Sequence, residues 1–271
     1  MLHLAAFADE ISPDLDEQIA GCKKHGITHI ELRRVAERNV LDLDESMRRE
    51  IKNKLADQGL GVASVGSAIG KVKLSDSFET HFERFKIAVE LAEFFDAPLI
   101  RIFSYYGAFP GGRDEVLRRM EKKVEYVQRF RPVLVHRNDV RTFGEKAAQC
   151  LELHQRIPSP KFRAAFDFAN FIQTGENPLS DWRLLKPYAA HFHVKDAIKG
   201  GNKIVPAGQG DGHVTEVLED AYASGYRGFL SLEPHLSIAG QFSDSTGSDL
   251  FGVAVEALRK LASKSGIPLA S

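Results

Sequence analysis

The sequence predicts a single (β/α)8 TIM barrel occupying residues 1–271. Three observations carry that expectation. Strand-like and helix-like stretches alternate eight times along the chain, the pattern of a parallel sheet wrapped by helices. The 271 residues match the roughly 250 that such a barrel uses as one domain. No linker, low-complexity tract or charge block interrupts the alternation. The competing architecture, an open doubly wound sheet, wants a Gly-rich phosphate turn after its first strand, and Ala8-Asp9-Glu10-Ile11 has no glycine there.

In order, residues 2–8 read as the first strand. An amphipathic helix follows over 14–24, started by Ser12-Pro13 and stopped near Gly26. Strands at 27–32 and 60–65 flank a charged helix at 44–58. Residues 78–95 form a long helix with apolar positions 82, 85, 89 and 92 at helical spacing. Strand 99–103 carries Arg101 among apolar neighbours, and a helix at 114–130 leads to strand 133–137. Helix 145–156 is closed by Pro158 and Pro160 before strand 162–166. A short helix near 181–185 precedes strand 191–195. A Gly-rich loop at 199–212, helix 215–224, strand 229–233 and helix 249–263 complete the pattern.

Composition is ordinary for a globular protein, with 43% hydrophobic and 27% charged residues. The net charge of -1 supplies no basic face, which argues against nucleic acid as partner. Cys22 and Cys150, far apart and in helix-like segments, suit a reducing compartment. The N-terminal stretch lacks a basic signal-peptide region, and no apolar run nears the ~20 residues of a membrane span. The expectation is a cytoplasmic protein with no membrane contact.

Barrel active sites lie at the carboxyl ends of the strands. Those ends carry Glu31, Arg101, Arg137, Asp167, His193 and Glu233. Parity puts Asp167 in phase with small Ala165, Glu233 with Ser231, and Arg137 with Val133 and Val135, so space for a ligand lies beneath charged tips. Asp, His and Glu on three successive strands are the ligand types of a divalent metal with mixed nitrogen and oxygen donors. Each acid alone is as well explained by a rim ion pair.

Several stretches, taken together, carry a resemblance. They are Phe7-Ala8-Asp9-Glu10, Ile30-Glu31-Leu32-Arg33, Gly66-Ser67-Ala68-Ile69-Gly70-Lys71 and Arg101-Ile102-Phe103-Ser104-Tyr105. Phe166-Asp167-Phe168-Ala169-Asn170-Phe171, His193-Val194-Lys195-Asp196 and Ser231-Leu232-Glu233-Pro234-His235-Leu236 continue the series. In this order the chain resembles the sugar phosphate isomerase/epimerase group of the xylose isomerase-like barrels.

The resemblance implies a metal held by a Glu after strand 5, Asp167, His193 and Glu233. The first ligand is missing. His136-Arg137-Asn138-Asp139 places Arg137 where a ligand, and in epimerases one of two catalytic bases, would stand. A guanidinium about 5 Å from a dication is repelled by roughly 6–7 kcal/mol at an effective dielectric near 20. The implied divalent ion (Mn, Mg, Co or Zn) is therefore weakened or replaced by Arg137, which offers fixed positive charge to an oxyanion.

The implied activity is proton transfer next to a carbonyl of a small sugar or sugar phosphate through an enediolate. Glu233 is the expected base, and Arg137 and Lys195 the groups that steady oxygen. With one base missing, one-base isomerisation or a lyase-type elimination fits better than epimerisation. Glu31, Lys71, Arg101 and His235 are the expected substrate contacts. His136 is out of phase and reads as structural. The Gly208-Gln209-Gly210-Asp211-Gly212 run is a lid or, on weaker grounds, a phosphate cradle. Two other classes compete: a degenerate barrel that only binds a sugar-like acid, and an abasic-site endonuclease, which needs more tip ligands and a more basic surface. Whether the chain forms a homo-oligomer is not legible.

Overall fold

A computed structural model describes residues 1–109, 111–200, 203–236 and 247–270. Pro110 and two residues of the predicted Gly-rich loop lie outside that range. Eight parallel strands close on themselves: β1 (Leu2–Ala6), β2 (His29–Leu32), β3 (Gly61–Val65), β4 (Leu99–Ile102), β5 (Val133–Arg137), β6 (Phe162–Asp167), β7 (Ala189–Val194) and β8 (Phe229–Leu232). Closure comes from β8 pairing with β1, Ala6 opposite Leu232. The predicted barrel is the observed one.

The helices between strands are α1 (Leu15–Lys24), α2 (Glu45–Asp57), α3 (Phe78–Phe94), α4 (Arg113–Val127) and α5 (Ala147–Arg156). They continue as α6 (Phe168–Gln173), α7 (Pro178–Leu185), α8 (Val214–Ala223) and α9 (Ser248–Lys264). Asp14, Asp44 and Ser77 cap α1, α2 and α3 by accepting the backbone N–H three residues on; the cap of α1 is thus Asp14, directly after the Ser12-Pro13 pair read as its start. Helix α6 was not expected. It starts because the Asp167 side chain accepts the Asn170 N–H at 3.0 Å, so the last residue of β6 is also a helix cap.

Strand alternation divides the residues into two populations. Leu4, Ile30, Ile100, Leu134, Phe166, Phe192 and Leu230 face the helices and form the main apolar core. The residues pointing to the barrel axis are different. Their apolar part is small: Leu99, Val135 and Ala165, with Phe229 packed against them. Above that floor stand Glu31, Ser64, Arg101, His191, His193 and Ser231, all buried. A barrel interior is ordinarily filled by branched apolar side chains. Here its middle layer is polar, which costs folding free energy unless each group finds a partner. That layer sets the floor of the site.

Candidate active site

The carboxyl ends of β2, β4, β5, β6, β7 and β8 converge on one buried ionic centre. Arg137, the last residue of β5, points to the axis as its parity requires and is 3% exposed. Its Nη2 donates to Asp167 Oδ2 at 2.6 Å and to Glu233 Oε2 at 2.6 Å, and its Nη1 donates to Glu233 Oε1 at 3.0 Å. Lys195 joins from the turn after β7, with Nζ 2.9 Å from Glu233 Oε2 and 3.2 Å from Asp167 Oδ2. Arg33 donates to Glu233 Oε1 at 3.2 Å and to Asp9 Oδ2 at 2.6 Å. Arg101 reaches within 3.8 Å of Glu233 and 3.9 Å of Glu31, and it also donates to the carbonyls of Gly66 and Ser67. Phe7 packs beneath the Arg33 and Arg101 guanidiniums at 4.8 and 5.0 Å.

These contacts fix the protonation states. Burial pushes the Glu233 carboxyl up, but Arg137 and then Lys195 outweigh it and hold the group well below its ordinary value. Asp167 is lowered in the same way by Lys195 and Arg137 against burial. Burial opposes the Arg137 charge, yet Glu233 and Asp167 leave it more firmly protonated than an ordinary arginine. Glu31 Oε2 accepts from His191 Nε2 at 2.8 Å and from His193 Nε2 at 3.0 Å. Burial, aided by Arg137, lowers His193 to about 4, and against burial the two imidazoles hold Glu31 below its ordinary value, so Glu31 is the charged member and His193 a neutral donor. Glu31 thus pairs with histidines from β7 rather than with its neighbours Arg33 or Arg34.

The other predicted contacts lie nearer the mouth. Lys71 pairs with Asp139 at 3.0 Å and lies over the Phe103 ring at 4.5 Å; burial lowers its pKa against the pull of Asp139. That ion pair also accounts for Asp139, which does not turn inward beside Asp167. His235 is half-buried, 3.0 Å from Glu10 Oε1 and 3.6 Å from Glu233 Oε1, at the edge of the centre. His136 faces outward and bonds Ser104 Oγ at 3.0 Å, as its parity predicted.

The predicted phosphate cradle is filled from within. The Asp196 carboxylate accepts the backbone N–H groups of Ala197 and Gly212, each at 2.8 Å, and of Gly208 and Gly210, each at 3.0 Å. A Cβ on Gly210 or Gly212 would stand 2.5 or 2.6 Å from Asp196 Oδ1, so both glycines are needed for this close approach. Replacing Asp196 by Asn turns an amide NH2 toward two of those donors. Two charge-assisted bonds are lost, an expected cost of about 2–4 kcal/mol. Hydrogen exchange of the loop at 203–212 should accelerate; unchanged protection in the variant would remove the clamp role.

Three clusters have metal-ligand composition among the described residues: Asp167, His193 and Glu233; Glu31, His191 and His193; and Glu10, Glu233 and His235, each with one donor atom per residue within 4.8 Å of the others. Every one already holds a guanidinium within 4 Å. Arg137 stands 2.6 Å from Asp167 and Glu233, Arg101 3.9 Å from Glu31, and Arg33 3.2 Å from Glu233. In the first cluster, an ion at the ~2.0–2.2 Å of a metal–oxygen bond would collide with Arg137 Nη2. In the second, both Nε2 atoms are spent on one carboxylate oxygen and neither Nδ1 has the partner that usually orients a metal-bound imidazole. With these arginines in place, the residues do not fit a resident dication.

Comparison with known proteins agrees with this architecture. The sequence profile described as xylose isomerase-like TIM barrel matches residues 19–269. The chain belongs to that family. A 3-dehydroshikimate dehydratase of Bacillus anthracis is 24% identical over 162 residues, spanning 56% of this chain and only 55% of that protein. Among solved structures, the fold is shared with the probable 3-DHS dehydratase AsbF of Bacillus anthracis, at TM-score 0.73, 19% identity, and coverage of 96% of this chain and 99% of that one. A D-tagatose 3-epimerase-like protein superposes with TM-score 0.76 at 15% identity, covering 98% of each chain. A family barrel from Mycobacterium smegmatis in complex with magnesium gives 0.73 at 15% identity, covering 96% of this chain and 97% of that one. At these identities the structures share the fold alone.

Sequence reasoning missed four contributors. Asp9, Glu10, Arg33 and His191 all reach the centre or its floor; the first three lie in stretches that carried the resemblance and His191 is in phase with His193, yet none was assigned a role. No helix among the described residues is long and apolar enough to cross a membrane.

Proposed function

We propose that this barrel is an enzyme that enolises a small polyhydroxylated carbonyl compound, with Arg137 as the electrophile. The carrying observation is the Arg137 guanidinium, locked between Asp167 and Glu233 by three hydrogen bonds while its buried Nε–H has no partner. A buried donor without an acceptor is uncommon and directs a hydrogen bond to a ligand oxygen. As charge develops on the carbonyl oxygen, a preorganised and firmly protonated guanidinium stabilises it. Lys195 lies beside the same carboxylates and can steady a neighbouring hydroxyl. The five carboxyl groups of the centre (Asp9, Glu10, Glu31, Asp167 and Glu233) outnumber its four cations (Arg33, Arg101, Arg137 and Lys195), Lys71 is tied to Asp139, and the Gly-rich loop spends its N–H groups on Asp196. An uncharged ketose or keto-polyol is therefore favoured over a phosphate ester.

Return of the proton to the neighbouring carbon gives isomerisation. Loss of a β-hydroxyl from the same enolate gives dehydration, a second reading favoured by the likeness to the Bacillus dehydratase.

The test uses chelator-treated protein in D2O, with D-tagatose, D-allulose, D-fructose and 3-dehydroshikimate as probes followed by proton NMR. Exchange at the carbon next to the carbonyl is expected, falling about 10²–10³-fold in Arg137→Lys and Arg137→Met. A conjugated ultraviolet band from 3-dehydroshikimate would select the dehydration branch. If no probe exchanges, or exchange needs added metal, the proposal fails.

A further inference from the structure

We infer that His193, and not Glu233, is the group that takes the proton from carbon. This deepens the enolisation reading and rests on it. The carboxylate lone pairs around Arg137 are already committed. Glu233 accepts from both terminal nitrogens of Arg137, from Lys195 and from Arg33. Asp167 accepts from Arg137 and from the Asn170 N–H, with Lys195 at 3.2 Å. A carboxylate so thoroughly hydrogen-bonded in its charged form has little tendency to accept a proton.

His193 is placed differently. One of its nitrogens lies within 4.8 Å of the carboxylate oxygens of both Asp167 and Glu233, and strand register sets it directly beside Asp167. Its Nε2 faces Glu31 Oε2 at 3.0 Å. An ionised carboxylate only accepts, so this nitrogen carries the proton and Nδ1 carries the lone pair. That Nδ1 is buried and has no hydrogen-bond partner. His191 also presents Nε2 to Glu31 Oε2, at 2.8 Å, but it pairs with Ala165, one layer deeper, and is outside the Asp167–Glu233 cluster. Glu31 is outside that cluster as well.

A carboxylate behind an imidazole whose far nitrogen is free is the arrangement that orients a general base and stabilises the imidazolium it becomes. The Arg137 guanidinium, occupied by Asp167 and Glu233, leaves that lone pair uncommitted. In the step, the Nδ1 lone pair takes the proton, and the C–H electrons form the carbon–carbon double bond. The carbonyl electrons move onto oxygen, opposite Arg137. For isomerisation the neighbouring hydroxyl passes its proton to the enolate oxygen and becomes the new carbonyl, while the imidazolium, paired with Glu31, returns its proton to the former carbonyl carbon. For dehydration the imidazolium protonates the departing β-hydroxyl, which leaves as water as the enolate electrons re-form the carbonyl and a new carbon–carbon double bond.

Bromohydroxyacetone, a three-carbon hydroxyketone with a displaceable bromide, tests this without a known substrate. An adduct on His193 is expected by peptide mass mapping, with bromide released, slower labelling in Glu31→Gln and none in His193→Asn. An adduct on Glu233 instead, or no adduct on His193, overturns the inference, as does a tightly held stoichiometric metal ion in the native protein. With any probe that exchanges, His193→Asn and His193→Gln should lower the rate by about 10²-fold or more while circular dichroism and melting stay near wild type. An unchanged rate in folded variants also overturns it. If the wild-type protein exchanges no probe, the enolisation proposal fails on its own, and the alkylation result still decides which residue is nucleophilic.

Discussion

Arg137→Met is expected to lower folding stability by about 3–5 kcal/mol, because it leaves Asp167 and Glu233 buried next to each other without their shared cation. Both carboxylates are essentially inaccessible, so water cannot take over the lost hydrogen bonds. Denaturant unfolding should show a lower midpoint at an unchanged slope. A wild-type midpoint would mean that Lys195 and Arg33 suffice to hold the pair. Arg137→Glu carries the same logic further. It places three carboxylates and His193 around one point, so the variant should be less stable than Arg137→Met in chelator. Millimolar manganese or magnesium should then restore it, by about 2.7 kcal/mol when the ion is at a hundred times its dissociation constant. The wild-type protein should not respond in the same way. A rise in wild-type melting temperature equal to that of the variant would contradict the fit argument based on Arg137.

Mild acid is expected to cost nearly as much. Burial lowers His136 and His154 to about 3, and lowers His81, with help from Lys123, to about 4. In the unfolded chain these imidazoles take up a proton near their ordinary 6.5, so below that value the unfolded state binds more protons than the folded one. Stability is therefore fully present above about pH 6.5 and declines as pH falls toward the folded values, each buried histidine contributing on the order of 1–3 kcal/mol by pH 4–5. Asp167 and Glu233 add to the loss at lower pH, since their folded values lie below the ordinary carboxylate range: that stability is present above pH ~4 and disappears beneath it. Melting temperature should fall steadily from pH 7 to pH 4.5, and His154→Phe should flatten the upper part of the curve. A flat profile in the wild type would mean that these imidazoles charge in place.

The fold was legible because it is written in local pattern. Strand and helix stretches differ in hydrophobic period, and signals such as Ser12-Pro13, Gly26 and Pro158 mark helix ends without reference to distant residues. Parity along each strand was equally legible and put Arg137, Asp167, His193 and Glu233 on the axis, where they are found. What parity cannot give is who bonds whom across the barrel. Glu31 stands two residues before Arg33 but bonds His191 and His193, 160 and 162 positions away, because inward side chains of β2 and β7 meet over the axis. Asp167 as the cap of α6 was hidden because the helix begins within the strand's own last residue. The Gly-rich loop at 199–212 looked like an anion cradle on composition; Asp196, just ahead of it in the chain, supplies the anion.

One property of Arg137 reaches past the chemistry of a single turnover. A divalent ion is borrowed from solution, so a metalloenzyme is active only to the extent that the right ion is present, and it is open to displacement by any ion higher in the Irving–Williams order. The cation carried by β5 is tethered to the backbone. Its local concentration is set when the barrel closes and cannot be diluted, chelated or exchanged for copper or zinc. Under the role proposed for Arg137, the supply of one particular metal would not enter the rate.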